Sequence, residues 1–86
     1  MSLTVEIVTP KAVVWKGEAD DVAAPGELGE FDVLPQHIAF LTTLRPGVVT
    51  IRSKGVARRY QVGKGFAEAG SAHVVLLVDS CEDISG

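Results

Sequence analysis

Short apolar runs divided by turn signals fill this sequence, and no window sustains a helical apolar stripe over three turns. In the second half the runs are VVTIRS, VARRYQVG, FAEAG and HVVLLVDS. Lys54-Gly55 and Lys64-Gly65 separate the first three of them. Strands spaced by roughly 8–12 residues and separated by glycine turns are typical of an all-β sandwich or barrel. We therefore predict an all-β fold.

The first half is also predicted to form strands. LTVEIVT alternates so that Leu3, Val5 and Ile7 share one buried face. AVVWKGEADDVAAP predicts two short strands around Lys16-Gly17-Glu18, and IAFLTTL predicts a strand or a single helical turn. The 86 residues suffice for one domain and not for two, so we predict one β-sandwich domain over 1–86.

Three glycines are predicted to occupy turns with a positive φ. They are Gly47, Gly55 and Gly65, each next to a proline or lysine at a break between apolar runs. Valine at such a position is expected to cost about 1–3 kcal/mol through backbone strain.

The last long run, HVVLLV, is apolar on both faces of a strand. One face can enter the core, which leaves Val75 and Leu77 on the other. A sandwich this small has no second core for that side, so the run predicts an exposed apolar patch of the kind that contacts partners. Coverage by another segment of the chain is the alternative.

Few side chains could support catalysis or metal binding. Cys81 is the only cysteine, which fits a reducing compartment, and neither His37 nor His73 has a second ligand at metal spacing. We expect no catalytic residue, no metal site and no cofactor. The longest strongly apolar run, VVLLV, is far shorter than the roughly 20 residues that a spanning helix needs, so no membrane-spanning segment is expected.

Two other functions stay open on the residues alone. A small hydrolase would use His37 with Asp32 or Glu30. A carrier of the lipoyl or biotinyl type would be modified on a hairpin lysine, Lys16 or Lys64.

Charge is unevenly distributed along the chain. Residues 33–67 hold six basic and no acidic residues, whereas both flanking segments are acidic. We interpret the basic residues as solvated outer positions of hairpin strands. Nucleic-acid binding is not expected, because the basic residues are not interleaved with aromatic residues and the sequence pI is near 5.2.

The stretch GEFDVLPQH, residues 29 to 37, has no helical or strand period and carries the most specific signal. Together with FLTTLRPGVVTI, VGKGFAEAG and VVLLVDSCED, in that order, it resembles the N-terminal domain of the epsilon subunit of F-type ATP synthases. The positions that match the family pattern are Gly29, Glu30, Phe31, Val33, Leu34, Pro35, His37, Phe40, Leu41 and Thr42.

The resemblance implies a flattened ten-stranded β-sandwich of two antiparallel sheets at the foot of the central stalk. Its partners would be the gamma subunit and the polar loops of the c-ring, on the cytoplasmic face of a bacterial plasma membrane. Such a subunit is non-catalytic and couples ion-driven rotation to ATP synthesis elsewhere. Family members usually continue as two helices that restrain ATP hydrolysis, and the inhibitory helical arm and direct nucleotide binding are expected to be absent here.

Site residues are carried over by position. The resemblance places Glu30, Phe31 and Asp32 against the c-ring, where the carboxylates can accept charge-assisted hydrogen bonds and Phe31 and Leu34 can be apolar anchors. It places four residues toward the gamma subunit, namely His37, Phe40, Leu41 and Thr42.

Three residues depart from the family pattern. Asp32 and Gln36 stand where the family usually has glycine, and Ala39 stands where it has proline. If those glycines have positive φ, Asp32 tolerates the conformation and Gln36 is strained.

Overall fold

The computed structural model describes residues 2–36 and 39–85, and every regular element in those ranges is a β-strand. The all-β prediction is therefore confirmed, and IAFLTTL contributes a strand rather than a helical turn. No helix in the described ranges is long and apolar enough to cross a membrane. The strands are β1 Leu3–Val8, β2 Val13–Ala19, β3 Asp21–Gly26, β4 Gly29–Val33, β5 Phe40–Leu44, β6 Gly47–Ser53, β7 Val56–Val62, β8 Gly65–Ala69, β9 His73–Val78 and β10 Cys81–Asp83.

The ten strands form a β-sandwich whose hydrogen-bonded pairing follows one path. The order is β10-β7-β6-β3-β5-β8-β9-β1-β2, with β4 added to β3. The predicted division into two antiparallel sheets is not confirmed, because the path is continuous and β1 runs parallel to β9. All the other pairs are antiparallel.

Strand β3 joins the two halves of this path. It pairs with β6 through residues 21–23 and with β5 only through Gly26 and Leu44. After Asp21, the residues of this strand, VAAPG, are buried and have compact side chains. Neighbouring strands can therefore approach it closely on both sides. A Cβ on Gly26 would lie 2.6 Å from the carbonyl oxygen of Gly29, so glycine is needed at this corner.

The core follows the alternation of the strands. Leu3, Val5 and Ile7 are fully buried, as predicted. The parallel ladder brings Val5 beside Val74 and Ile7 beside Leu76, and both β9 residues are also fully buried. No polar or charged side chain is buried within residues 2–36 and 39–85, so burial of apolar area dominates the core.

The predicted break at Lys16-Gly17-Glu18 is wrong. Strand β2 runs unbroken through these residues, and the chain turns only at Asp20, between β2 and β3. Gly17 serves another purpose, since a Cβ there would lie 2.9 Å from the indole ring of Trp15. The indole therefore covers the backbone of an edge strand at the position where a side chain is missing.

The predicted glycine conformations are confirmed at one position of three. Gly55 has φ +79° and follows Lys54 at φ 53°, and these two residues link the paired Ser53 and Val56, as in a type I′ hairpin. Gly47 and Gly65 do not have positive φ. Glycine is required at these two positions because neighbouring atoms leave no room for a side chain. A Cβ on Gly47 would lie 2.8 Å from Cβ of Pro25, and a Cβ on Gly65 would overlap the carbonyl oxygen of Leu77.

Candidate functional site

One open concavity lies at the β3–β4 hairpin and borders β5. Its volume is about 350 Å3. We call it the hairpin concavity, and it is lined by Gly26, Leu28, Gly29, Glu30, Phe31, Asp32, Phe40 and Thr42. All three residues predicted for the c-ring thus line it together with two of the four predicted for the gamma subunit.

Leu28 is the residue of this surface that the sequence analysis missed. It lies with Glu27 in the two-residue turn between the paired Gly26 and Gly29, and its side chain is fully exposed. A large apolar residue in a turn between two glycines was the available signal, because nothing at such a tip can bury it. Leu28 therefore projects from the hairpin as an apolar contact residue.

Phe31 and Phe40, which are predicted to contact different partners, also contact each other. Their ring centroids are 5.5 Å apart at an interplanar angle of 85°, which is an edge-to-face pair. Both are partly buried against the core. The pair holds β4 to β5 and forms the apolar floor of the hairpin concavity.

The two carboxylates of β4 lie on one exposed face of that strand. Glu30 is opposite Pro25 and Asp32 is opposite Ala23, and both acids are exposed. Neither carboxylate forms an ion pair with a residue that the structure describes. Among the described residues, the one salt bridge joins Arg52 and Asp21 at 3.3 Å. Glu30 and Asp32 are thus available to accept hydrogen bonds from an external basic or amide group.

The residues predicted for the gamma subunit divide between two surfaces. Phe40 and Thr42 line the hairpin concavity, whereas Leu41 points to the opposite side of β5 and is 69% exposed. His37 lies outside the described residues. Alternation along a strand explains the division, because consecutive residues cannot share a face.

The loop after β4 contains a strained backbone position. Gln36 has φ 66°, and its amide donates a hydrogen bond to the carbonyl oxygen of Ser71 at 2.9 Å. Asp32, the other residue at a family glycine, does not have positive φ. The expected strain therefore falls on Gln36, where the loop is tied to the turn between β8 and β9.

Replacing Gln36 by valine is expected to lower the free energy of unfolding by about 1–2 kcal/mol relative to the Gln36→Gly variant. A β-branched residue is poorly accommodated at positive φ, whereas glycine adopts it freely. Urea unfolding measures both variants. Arg59→Val is the control, since Arg59 is an exposed residue of β7, where valine is favoured. Equal stabilities of Gln36→Val and Gln36→Gly would contradict the strained conformation.

A second surface covers the outer side of β5, β8, β9, β1 and β2. Cross-strand partners in register share a face, so the pairings define rows that cross all five strands. The apolar row consists of Thr43, Phe66, Leu77, Val8 and Val13, in that order. The acidic row, one step along the strands, consists of Leu41, Glu68, Val75, Glu6 and Lys16.

The apolar row confirms the predicted exposed patch. Leu77 is 44% exposed and Phe66 is 49% exposed, and Val75 is half-buried. An open concavity of about 650 Å3 lies over this row, and its charged lining residues are Glu27, Lys64 and Asp79. No described segment of the chain covers Phe66 and Leu77 completely, so the patch faces outward.

The other polar features have structural roles. Asp20 accepts a hydrogen bond from the amide of Lys54 at 2.9 Å, and Asp21 pairs with Arg52. Burial, together with the nearby Asp83 carboxylate, raises the pKa of the Cys81 thiol. Within the described residues, no group of three or more His, Cys, Asp or Glu side chains could hold a metal ion.

All basic residues of the segment 33–67 are exposed, and most of them lie at outer strand positions or in turns, as interpreted from the sequence. They are Arg45, Arg52, Lys54, Arg58, Arg59 and Lys64. Arg58 departs from this interpretation, because it is paired with the buried Ile51 and shares its face of β7 with the buried Tyr60.

The structure thus defines a small β-sandwich whose distinctive surfaces, the hairpin concavity and the outer face, are suited to protein contact. Residues 2–84 match the family described as ATP synthase, Delta/Epsilon chain, beta-sandwich domain, and the chain belongs to this family. The family gives no support to a carrier modified on Lys16 or Lys64. Lys16 in fact lies within β2 and not at a hairpin tip.

Curated relatives named ATP synthase epsilon chain match nearly the whole chain. The relative from Myxococcus xanthus is 40% identical over 84 residues, which are 98% of this chain and 62% of the relative. The relative from Moorella thermoacetica is 46% identical over 82 residues, which are 94% of this chain and 61% of the relative. The chain therefore spans about three fifths of the length of these relatives.

Solved structures share the fold. A chain of the mitochondrial ATP synthase of Euglena gracilis superposes with a TM-score of 0.90 at 16% identity, over 95% of this chain and 53% of that one. A chain of the central stalk and c-ring structure of the Tetrahymena thermophila mitochondrial ATP synthase gives 0.77 at 19% identity, over 96% and 67%. At these identities the likeness establishes the β-sandwich.

Proposed function

We propose that the chain acts in the central stalk of a proton- or sodium-translocating F-type ATP synthase, as a non-catalytic rotor part between the gamma subunit and the c-ring. The observation that carries this proposal is the family match over residues 2–84, joined by relatives named ATP synthase epsilon chain at 40% and 46% identity. In this role the chain belongs to a membrane-associated complex, at the cytoplasmic face of the bacterial plasma membrane.

The hairpin concavity is the proposed c-ring contact. Glu30 and Asp32 provide exposed carboxylates for basic or amide groups of the ring loops. Leu28, fully exposed at the tip, provides an apolar anchor beside them, and Phe31 supports the surface from below through its contact with Phe40. In such an arrangement the apolar centre is buried on binding, and the surrounding carboxylates fix the orientation of the partner.

The gamma subunit is the proposed partner on the β5 side, where His37, Phe40, Leu41 and Thr42 are carried over from the family. Leu41 is the most accessible of the three that the structure describes. Leu41 also continues onto the outer face, because it is paired with Glu68 of β8. The gamma contact is therefore proposed to extend from β5 across that face.

We also propose that residues 1–86 form one domain and that its strands are arranged in two facing layers. Strands β10, β7, β6, β3 and β4 form one layer, and β5, β8, β9, β1 and β2 form the other. The single residue pair between β3 and β5, Gly26 with Leu44, supports a division at this point. Two layers that meet at one narrow corner would present the hairpin concavity at an edge and the outer face on a broad side.

The test is complex formation with purified partners from the same source. The chain is mixed with the gamma subunit, and with gamma bound to its c-ring, and the masses are measured by size-exclusion chromatography with light scattering. A stable one-to-one complex with gamma is expected. Separation of the chain from gamma at tens of micromolar, both with and without the ring, would contradict the proposed function.

Loss of both β4 carboxylates tests the c-ring contact. The double variant Glu30→Gln, Asp32→Asn is expected to bind gamma normally and to weaken attachment to the ring-bound complex at least fivefold, because two charge-assisted hydrogen bonds are lost. Glu82→Gln is the matched control, since Glu82 is an exposed acid on β10. Unchanged affinity of the double variant would place the ring contact elsewhere.

A further inference from the structure

Strand β10 is a short edge strand that contributes little to the core. It has three residues, Cys81–Asp83, and it lies at the end of the pairing order, where β7 is its one partner among the described strands. Cys81 is partly buried, and Glu82 and Asp83 are exposed. Strand β7 is also paired with β6 along its whole length, so β7 does not need β10 to stay in the sheet. A short edge strand of this kind can open while the rest of a domain stays folded.

A latch formed by Asp83 and Ser85 ends the pairing of β10 with β7. The amide of Ile84 donates to the carbonyl oxygen of Arg59 at 2.9 Å, as in an antiparallel ladder. The Arg59 amide, which such a ladder would pair with the Ile84 carbonyl, donates instead to Oγ of Ser85 at 2.6 Å. The Ser85 hydroxyl also donates to the Arg59 carbonyl oxygen, at 3.1 Å. One side chain thus binds both backbone groups of Arg59.

A hydrogen bond within residues 83–85 holds this latch in place. The amide of Ser85 donates to Oδ1 of Asp83 at 2.8 Å, in the turn that an aspartate forms with the residue two positions on. That bond, followed by the Ser85 side chain and the nearby Arg58 guanidinium, lowers the pKa of the Asp83 carboxyl group. The carboxylate therefore stays charged and keeps the Ser85 hydroxyl against Arg59.

The other end of β10 begins at an anchored turn. The amide of Asp79 donates to the carbonyl oxygen of Lys64 at 3.0 Å, and the amide of Gly63 donates to the carbonyl oxygen of Ser80 at 3.1 Å. A Cβ on Gly63 would overlap Oδ1 of Asp79, so the two turns are in close contact. Residues 81–85 are thus bounded by a fixed turn and by the latch. Release of the latch would let them swing about Ser80.

We infer that residues 81–85 form a releasable strap, which detaches from β7 as one unit while the other nine strands stay folded. The Ser85 hydroxyl controls the release, because its bonds to Arg59 tie the far end of the strap to β7. When closed, the strap covers the edge of β7 and fixes the direction of the residues after Asp83. When open, it frees those residues and makes the edge of β7 available for pairing with another strand.

Amide hydrogen exchange distinguishes release of the whole strap from fraying at its end. In an antiparallel pair the hydrogen-bonded positions alternate, so the bond from Ile84 to Arg59 makes Glu82 and Gln61 the preceding hydrogen-bonded pair. The Gln61 amide is therefore bonded to β10 without any bond to Ser85. Release as one unit predicts that the amides of Gln61, Glu82 and Ile84 share one opening equilibrium.

Ser85→Ala is expected to speed amide exchange at Gln61 about fivefold, because hydrogen bonds that hold the strap closed are lost. Exchange at the fully buried Leu76 should change no more than the global stability measured by urea unfolding. Ser85→Thr retains the hydroxyl and should restore slow exchange at Gln61. Ser80→Ala is the matched control, since the Ser80 hydroxyl donates to Asp79 at the anchored turn. This control should leave exchange at Gln61 unchanged.

Three results would overturn the strap. Exchange at Gln61 as slow as at Leu76 in the unchanged chain, with the same dependence on urea, would mean that β10 opens only with the whole fold. Acceleration by Ser85→Ala that is confined to the Arg59 amide would mean that Ser85 satisfies one donor and does not hold the strand. Equal acceleration by Ser80→Ala would remove the special part of the latch. All these measurements use the isolated chain, so they are independent of binding to the gamma subunit.

Discussion

Alanine at Gly65 is expected to lower the free energy of unfolding by roughly 3 kcal/mol or more, because backbone must move to admit one methyl group. Gly65 begins β8 and is paired with Leu44 on one side and Val78 on the other. A Cβ at this position would overlap the carbonyl oxygen of Leu77, which is main chain and cannot rotate away. Urea unfolding monitored by circular dichroism measures the loss.

The Gly55→Ala variant measures the cost of an unfavourable backbone conformation without any steric overlap. Gly55 has φ +79°, and a Cβ there would meet no atom within 4 Å, so only the conformational cost of about 1 kcal/mol applies. The Gly65 variant should therefore lose clearly more stability than the Gly55 variant. A loss at Gly65 no larger than that at Gly55 would mean that β8 and β9 are further apart than the structure shows.

Adjacent leucines of β9 are expected to respond very differently to alanine. Leu76 is fully buried and paired with the fully buried Ile7, so Leu76→Ala should cost about 2–5 kcal/mol through lost burial and the cavity left behind. Leu77 is 44% exposed in the apolar row, and Leu77→Ala should cost less than about 1 kcal/mol. Thermal unfolding of the two variants under one condition measures the difference.

The pair of leucines also tests the register of the parallel ladder. A shift of one residue would exchange the two faces of β9 and make Leu77 the buried residue. In that case Leu77→Ala would be the costly substitution, and the apolar row described above would not exist. Ile7→Val serves as a control, because Ile7 is buried by the alternation of β1 in either register, and it should cost about 0.5–1.5 kcal/mol.

Local patterns predicted those parts of the fold that depend on neighbouring residues. Alternation in β1 identified its buried face, and the unbroken apolar run of β9 predicted the patch at Leu77, since in both cases the strand period alone assigns side chains to faces. The same reasoning failed at Lys16-Gly17-Glu18. A glycine between charged residues resembles a turn, but Gly17 is covered by the indole of Trp15, two residues away.

Such local patterns could not predict which strands pair across long stretches of the chain. Nothing local to Gly65 indicates that the Leu77 carbonyl lies against it, so its role was misassigned to positive φ while the residue itself was singled out correctly. The site residues show the same limit. Family positions assigned Phe31 and Phe40 to different partners and gave no sign that the two rings, on β4 and β5, contact each other.

The parallel pairing of β1 with β9 also determines when the sandwich can be completed. Thr4 is opposite His73 and Val8 is opposite Leu77, so the first strand pairs with the ninth, and seven strands lie between the two in the chain. On a ribosome, β1 and β2 emerge early and wait with one edge unpaired until β9 has been synthesised. Closing so long a loop is costly in entropy, and folds that depend on it assemble slowly. The nascent hairpin is therefore exposed to mispairing until β9 has emerged, and the charged Glu6, Lys16 and Glu18 on its surface reduce that hazard.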